Sequence, residues 1–229
     1  MNIIISGGTR GIGKEVVKYL AMNPDHRILV TGRTKKALEA LSESYVNVHT
    51  MVLDLAEIDK DIDLFSETVG SLFKTVDILI NIAGLLVVKP FSDFSIHDAR
   101  KMMEVNFIAP SSLIRNVMPW MKDGSHVVNI SSMGGFQGSS KYKGLSYYSA
   151  SKAALACLTE CLSTELMGTG ISVNCLALGS VQTEMLQEAF PGYKAPVQAK
   201  NMAEYISEFA LNGNKFFNGK ILPVALSNP

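Results

Sequence analysis

The sequence predicts one doubly wound α/β domain, a parallel sheet of seven strands in the order 3-2-1-4-5-6-7 with helices on both faces. Three observations carry this. Short aliphatic runs such as Asn2–Ser6 and Arg27–Thr31 alternate with longer amphipathic stretches. The runs are continuously apolar, as strands buried on both faces must be. The first run leads directly into a glycine-rich turn and then a helical pattern. A length of 229 residues suits one large domain of this kind.

After the opening strand, Asn2-Ile3-Ile4-Ile5-Ser6, comes Gly7-Gly8-Thr9-Arg10-Gly11-Ile12-Gly13-Lys14, followed by a helix with Val16, Val17, Leu20 and Ala21 on one side. Strand, glycine turn and helix in that order form an arrangement that binds a dinucleotide pyrophosphate. Glycines allow close backbone approach, and the free N–H groups of a helix start favour a diphosphate. The spacing, Gly-x-x-x-Gly-x-Gly, differs from the commoner Gly-x-Gly-x-x-Gly. The second strand, Arg27–Thr31, ends at Gly32-Arg33. An NAD site places an acid about 20 residues past the glycine turn, on the adenine ribose hydroxyls, and here that place holds Arg33. Its planar fork suits a 2′-phosphate, and Arg10 offers a second positive charge, so NADP(H) is favoured over NAD(H). The alternative is that both arginines are merely solvated.

A helical stretch, Thr34–Ser44, leads to a third strand, Val46–Leu53, ending on Asp54. Asp54 is placed either to accept from an adenine amino group or to cap the turn that follows. The next crossover helix, Ile58–Lys74, aims Ile62, Phe65, Val69 and Phe73 at the sheet. Asp77–Gly84 is the fourth strand, ending in the small-residue turn Asn81-Ile82-Ala83-Gly84. Asp98–Phe107 reads as helix and carries Asn106 among apolar neighbours, where a buried amide is structural or part of a site, with Pro110 permitting a kink. The fifth strand, Ser125–Ile130, is followed by Ser131-Ser132-Met133-Gly134-Gly135. Both hydroxyls then fall on the rim where ligands of parallel sheets gather. The sixth strand is Ile171–Ala177, the last helix Met202–Leu211, and a final strand spans Lys220–Val224.

Apolar residues make up 47% of the chain and charged residues 18%, while Lys plus Arg equals Asp plus Glu at 21 each. This balance gives no electrostatic reason to expect nucleic acid or an anionic membrane as partner. Three cysteines and the lack of a secretory leader pattern point to a cytoplasmic protein without disulfides. Cys157 and Cys161 share a helix face, but no second pair or nearby His completes a metal site, so no metal is expected. The four histidines, His26, His49, His97 and His126, read as structural or solvated.

Tyr148-Ser149-Ala150-Ser151-Lys152 opens a run of strong helix formers, which puts the phenol and the ammonium on one helix face. A lysine charge at roughly 5 Å with an effective dielectric near 20 contributes about 3 kcal/mol, or roughly two pKa units, enough to make a tyrosine a usable proton donor. The bland reading is a solvated face with the ring packed on the lysine stem.

Taken together, the Gly7, Gly11, Gly13 turn, Asp54, Asn81-Ile82-Ala83-Gly84, Asn106, the serine after the fifth strand and Tyr148-x-x-x-Lys152 resemble the short-chain dehydrogenase/reductase family, from Met1 to about Met185, with its Rossmann fold. The resemblance implies reduction of a ketone or aldehyde by hydride transfer, 3-oxoacyl-carrier reductases being the nearest type and a 3-oxoacyl thioester the leading substrate. Sugar, steroid or small-alcohol dehydrogenases of the same family, or a catalytically idle dinucleotide sensor, are the alternatives. It implies Tyr148 as the acid, with Lys152 lowering its pKa and holding the nicotinamide ribose. Ser132 would donate to the substrate oxygen, with Ser131 as alternative, and Asn106 would hold a relay water. It further implies a cofactor against Gly7, Thr9, Arg10, Gly11, Ile12, Gly13, Arg33, Asp54, Leu55, Asn81, Ala83, Gly84, Tyr148, Lys152, Val181 and Thr183, a short substrate lid at about 184–198, and a homodimer or homotetramer. Departures are Ile82 for a second Asn, Leu178 where the family has Pro, and a longer segment between Ser132 and Tyr148.

Overall fold

The computed structural model describes residues 1–226. Seven strands build one parallel sheet: β1 (Asn2–Ser6), β2 (Arg27–Gly32), β3 (Val48–Val52), β4 (Ile78–Asn81), β5 (His126–Ser132), β6 (Ser172–Leu178) and, last in the chain, β9 (Ile221–Val224). Their order, β3-β2-β1-β4-β5-β6-β9, is the predicted one. The final strand is ninth in chain order because two short strands, β7 (Val181–Gln182) and β8 (Val197–Gln198), intervene and pair in parallel with each other.

Every strand of the sheet's centre is apolar on both faces, and the period of two sorts its residues. Ile3, Ile5, Ile28, Val30, Ile78, Ile80, Val128 and Ile130 face α1 (Gly11–Ala21), α2 (Lys35–Ser44) and α8 (Ala199–Asn212). Ile4, Leu29, Leu79, Val127 and Val173 face α3 (Ile58–Leu72) and α5 (Ala109–Val117) on the other side. Each such side chain, fully buried, stabilises the fold by roughly 1.5–3 kcal/mol. The register is therefore fixed, since a slip of one residue would exchange the two cores.

Several boundaries differ from the sequence reading, each for a local reason. The third strand begins at Val48 because the Asn47 amide donates to the Ala21, Asn23 and His26 carbonyls and turns the chain there. The fourth stops at Asn81, after which the Ile82 and Ala83 amides both turn to the Ser6 carbonyl. The fifth runs on to Ser132, so both serines are strand residues and point to opposite faces. The helix α4 (Ile96–Met103) opens on a capping box between Ser95 and Asp98. It does not continue to Phe107 in α form: residues Glu104–Ile108 make a π turn, with the Ala109 amide reaching back to the Glu104 carbonyl. Pro110 has no N–H to offer the Asn106 carbonyl four residues earlier, which favours this shift.

Of the histidines, His126 is fully structural. Its Nδ1 donates to the Ala210 carbonyl at 3.0 Å and its Nε2 accepts from Asn174 Nδ2 at 3.0 Å. Burial holds its pKa down at about 4, so it is a neutral tie between β5, β6 and α8. No helix of the described residues is long and apolar enough to cross a membrane, and no cluster of metal-ligand side chains occurs among them.

Candidate active site

A cleft of about 990 Å³ opens along the carboxyl ends of the strands. Its first half is made by the turn from β1 into α1. Gly7 and Gly11 take φ of +84° and +52°, which L side chains rarely adopt. A Cβ on Gly7 would stand 2.6 Å from the Ala83 Cα, so the glycine lets the turn lie directly on the end of β4. No acid occupies the first turn of α1, whose free amides face the cleft. These are the features a diphosphate requires. Thr9, Arg10, Ile12, Gly13, Arg33, Asp54, Leu55, Ala83 and Gly84 line this half too. Arg33 is exposed and, among the described residues, has no carboxylate partner. Asp54 accepts from the Ala56 amide at 3.0 Å, so one of its oxygens caps the turn, as one of the two readings had it.

The second half lies where β5 meets α6 (Ser146–Glu165). Lys152 is only 3% exposed, and its Nζ donates to the Ile130 carbonyl at 2.8 Å. Burial lowers its pKa to about 8, which the neighbouring Cys175 opposes. Ser131, also buried, donates its hydroxyl to the Lys152 carbonyl at 2.8 Å and so is committed to holding the helix. Ser132 points the other way. Its Oγ accepts from the Gly134 amide at 3.1 Å and stands beside the Tyr148 phenol. Gly135 permits this approach: a Cβ there would lie 2.6 Å from the Ala153 amide nitrogen.

The phenol corrects one expectation. Burial pushes the Tyr148 pKa above its usual value and the Ser132 hydrogen bond pulls against it, with no lowering by Lys152. Spacing along a helix puts the two side chains on one face, but the ammonium bonds the Ile130 carbonyl. Desolvation of the phenolate then dominates.

Two predicted residues do not line the cleft. Asn81 is buried, donating to Asn129 Oδ1 at 2.9 Å, while Asn129 donates to Thr159 Oγ1 at 3.0 Å, so the pair ties β4 through β5 to α6. Asn106, fully buried in the π turn, accepts from the Leu85 amide at 2.7 Å and donates to the Leu85 carbonyl at 2.8 Å and to Ser151 Oγ at 2.9 Å. Ser151 in turn donates to the Tyr148 carbonyl at 2.8 Å. Asn106 therefore clamps the loop after β4 to the first turn of α6. A Cβ on Gly84 would lie 3.4 Å from both Asn106 Oδ1 and Lys152 Nζ, so the bare glycine leaves room for the amide and the ammonium.

Of the remaining walls, those before α6 and after β4 escaped sequence reading, while those beyond β7 lie in the segment read as a lid. Leu85, Leu86, Val87 and Val88 after β4, Tyr142 and Leu145 before α6, and Met185, Phe190 and Tyr193 beyond β7 make the second half largely apolar. Val181 and Thr183 line it too, and Thr183 caps α7 (Glu184–Ala189), accepting from the Leu186 amide at 3.3 Å. Val87 and Val88 follow a strand with no turn signal. Their apolar side chains on a loop were the available clue.

Comparison with known proteins agrees with this geometry. The model of the short chain dehydrogenase family matches residues 1–194. The chain belongs to that family. It is accordingly an NAD(P)-dependent oxidoreductase of the short chain dehydrogenase type. Among relatives, it is 29% identical over 208 residues to an uncharacterized oxidoreductase of Staphylococcus saprophyticus, covering 88% of this chain and 87% of that one. It is 29% identical over 218 residues to sulfoacetaldehyde reductase 2 of Chromohalobacter salexigens, covering 89% and 86%. Among solved structures, a short chain dehydrogenase from Burkholderia cenocepacia in complex with NADP superposes with a TM-score of 0.86 at 23% identity, covering 97% of this chain and 95% of that one.

Because Asn106 satisfies both main-chain groups of Leu85, Asn106→Ala leaves that half-buried N–H and C=O without their partner. Urea unfolding should show a loss of about 1–3 kcal/mol. A loss under about 0.5 kcal/mol, typical of a surface change, would remove the clamp from this account.

Proposed function

We propose that the protein reduces a ketone or aldehyde with NADPH, Tyr148 giving the proton, and that a 3-oxoacyl thioester is the substrate class that suits the cleft best. The observation that carries the reading is the Tyr148, Ser132, Lys152 constellation at the junction of β5 and α6, facing the glycine turn across one cleft. Bound NADP(H) supplies the hydride. Everything else falls to the chain's own side chains.

Ser132 would donate to the carbonyl oxygen and polarise it, an oxyanion-hole role that works best in a site with little water. Tyr148, its pKa raised by burial, is reliably protonated at neutral pH and so is loaded as the acid. As the proton leaves, the phenolate needs a cation nearby. Lys152, held by the Ile130 carbonyl, would provide it and would also hold ribose hydroxyls. Asn106, through Leu85 and Ser151, would fix the geometry and place a relay water by Lys152. The apolar walls from Leu85 to Val88 and from Met185 to Tyr193 favour an acyl body over a sugar. Residues 184–198 would act as the lid, hinged where β7 pairs with β8. Assembly into a homodimer or homotetramer would use the outer face of α6, where Leu158 and Cys161 lie; Leu155 belongs to the core.

Arg33 and Arg10 support NADPH over NADH, as two cations lining the adenosine end of the cleft. NADPH oxidation against a panel of carbonyl compounds, 3-oxoacyl thioesters and sulfoacetaldehyde included, should reveal turnover that Tyr148→Phe reduces by about 10³-fold or more, since one proton donor is worth 10²–10⁴ and the Ser132 contact is lost with it. Equal rates in the two proteins would refute the donor, and a wild type inert to the whole panel would favour an idle binder. Arg33→Asp should reverse the ratio of kcat/KM for NADPH to that for NADH, by about tenfold or more; an unchanged ratio would remove Arg33 from cofactor choice.

A further inference from the structure

The lid helix α7 carries Glu184 and Glu188, and both carboxylates reach the cofactor half of the cleft rather than the substrate half. Glu188 Oε1 lies 3.2 Å from Arg10 Nη1, an ion pair that joins the lid to the glycine turn. Glu184 Oε2 lies 3.5 Å from the point where a Cβ on Gly11 would stand, beside the Thr183 methyl at 3.4 Å. Gly11 opens α1, so this carboxylate stands beside the first residue of the helix start that suits a diphosphate. Arg33, the other cation of the adenosine end, carries no such partner among the described residues.

We propose that Glu188 and Glu184 act as internal competitors of the cofactor, Glu188 being the one that sets specificity: with the lid down, Glu188 holds the Arg10 guanidinium that a 2′-phosphate would take, and Glu184 stands at the turn that a diphosphate would take. This rests on the reading of Arg10 and the glycine turn as an NADP(H) site. The pair is between groups 47% and 65% exposed, and such pairs hold weakly. A 2′-phosphate carries more charge than a carboxylate and presents several acceptors to the guanidinium fork, so it displaces Glu188. NADH has no group for Arg10 and leaves that ion pair intact. Glu184, by contrast, opposes the diphosphate that both dinucleotides share. The two glutamates thus act on different parts of the ligand, and cofactor identity is coupled to the position of the lid.

The test is a titration of NADPH and of NADH, followed by nicotinamide fluorescence, into the wild type, Glu188→Gln, Glu184→Gln, Arg10→Met and the Arg10→Met, Glu188→Gln double variant. Glu188→Gln should tighten NADPH by about fivefold and leave NADH unchanged, the gain vanishing when Arg10 is absent. Glu184→Gln should tighten both cofactors by a similar factor. An NADPH Kd that Glu188→Gln leaves at the wild-type value, or equal tightening of NADPH and NADH by that variant, overturns the competition while the NADP(H) site stands. Arg10→Met with unaltered NADPH affinity overturns the assignment of Arg10 itself, a failure of the underlying reading that the Glu188 outcomes do not mimic.

Discussion

The site is organised by a cation out of water. An ammonium moved to the interior costs several kcal/mol unless it is bonded, and the Lys152 Nζ meets that cost only in part, through the Ile130 carbonyl. The low pKa of about 8 is the visible remainder of the cost. Keeping the ammonium in place ties together β5, which supplies the carbonyl, α6, which supplies the lysine, and the turn after β4, whose Gly84 leaves room for both Lys152 and Asn106. Ser131 and Ser151 complete the arrangement by fixing the main chain of α6 at Lys152 and Tyr148.

The two halves of the cleft follow different physics. The glycine turn works by absence: no Cβ at Gly7, positive φ at Gly11 and no acid in the first helical turn leave main-chain amides to meet a diphosphate. The β5–α6 junction works by commitment, since almost every polar atom near Lys152 already has a partner. The Tyr148 phenol and the Ser132 hydroxyl, whose oxygen accepts from the Gly134 amide, keep their donors free among the described residues, and both line the cleft. A parallel sheet brings both halves to one rim because all its strands end there.

Most of the fold was legible because burial on both faces leaves unbroken apolar runs, and because turn glycines and helix formers punctuate them. The alternation of strand and crossover marked the sheet as parallel, and the family resemblance supplied its strand order. Where reading failed, the cause lay in contacts distant in sequence. Around Asn106 only Pro110 marked a break, and as a kink rather than a π turn; the turn is held by Leu85, 21 residues earlier, which offers both main-chain groups to the amide. Tyr148 and Lys152 were found by spacing, yet spacing could not show that the ammonium bonds Ile130 or that burial outweighs it at the phenol. Ser131 and Ser132 stayed open until the strand was seen to include both, whereupon alternation separates them. Nothing in the sequence marks Glu184 or Glu188, since only the folded chain sets them against Gly11 and Arg10.

The central claim is that a protonated, buried Lys152 makes proton delivery by Tyr148 possible. The most direct measurement is the pH dependence of kcat/KM for NADPH-driven carbonyl reduction. With Lys152 titrating near 8 and the phenol above its usual range, the rate should be level from pH 6 to 7 and fall as pH rises through about 8, by tenfold for each further unit. A profile that stays level to pH 10 would contradict the account, because catalysis would then be indifferent to the loss of that charge.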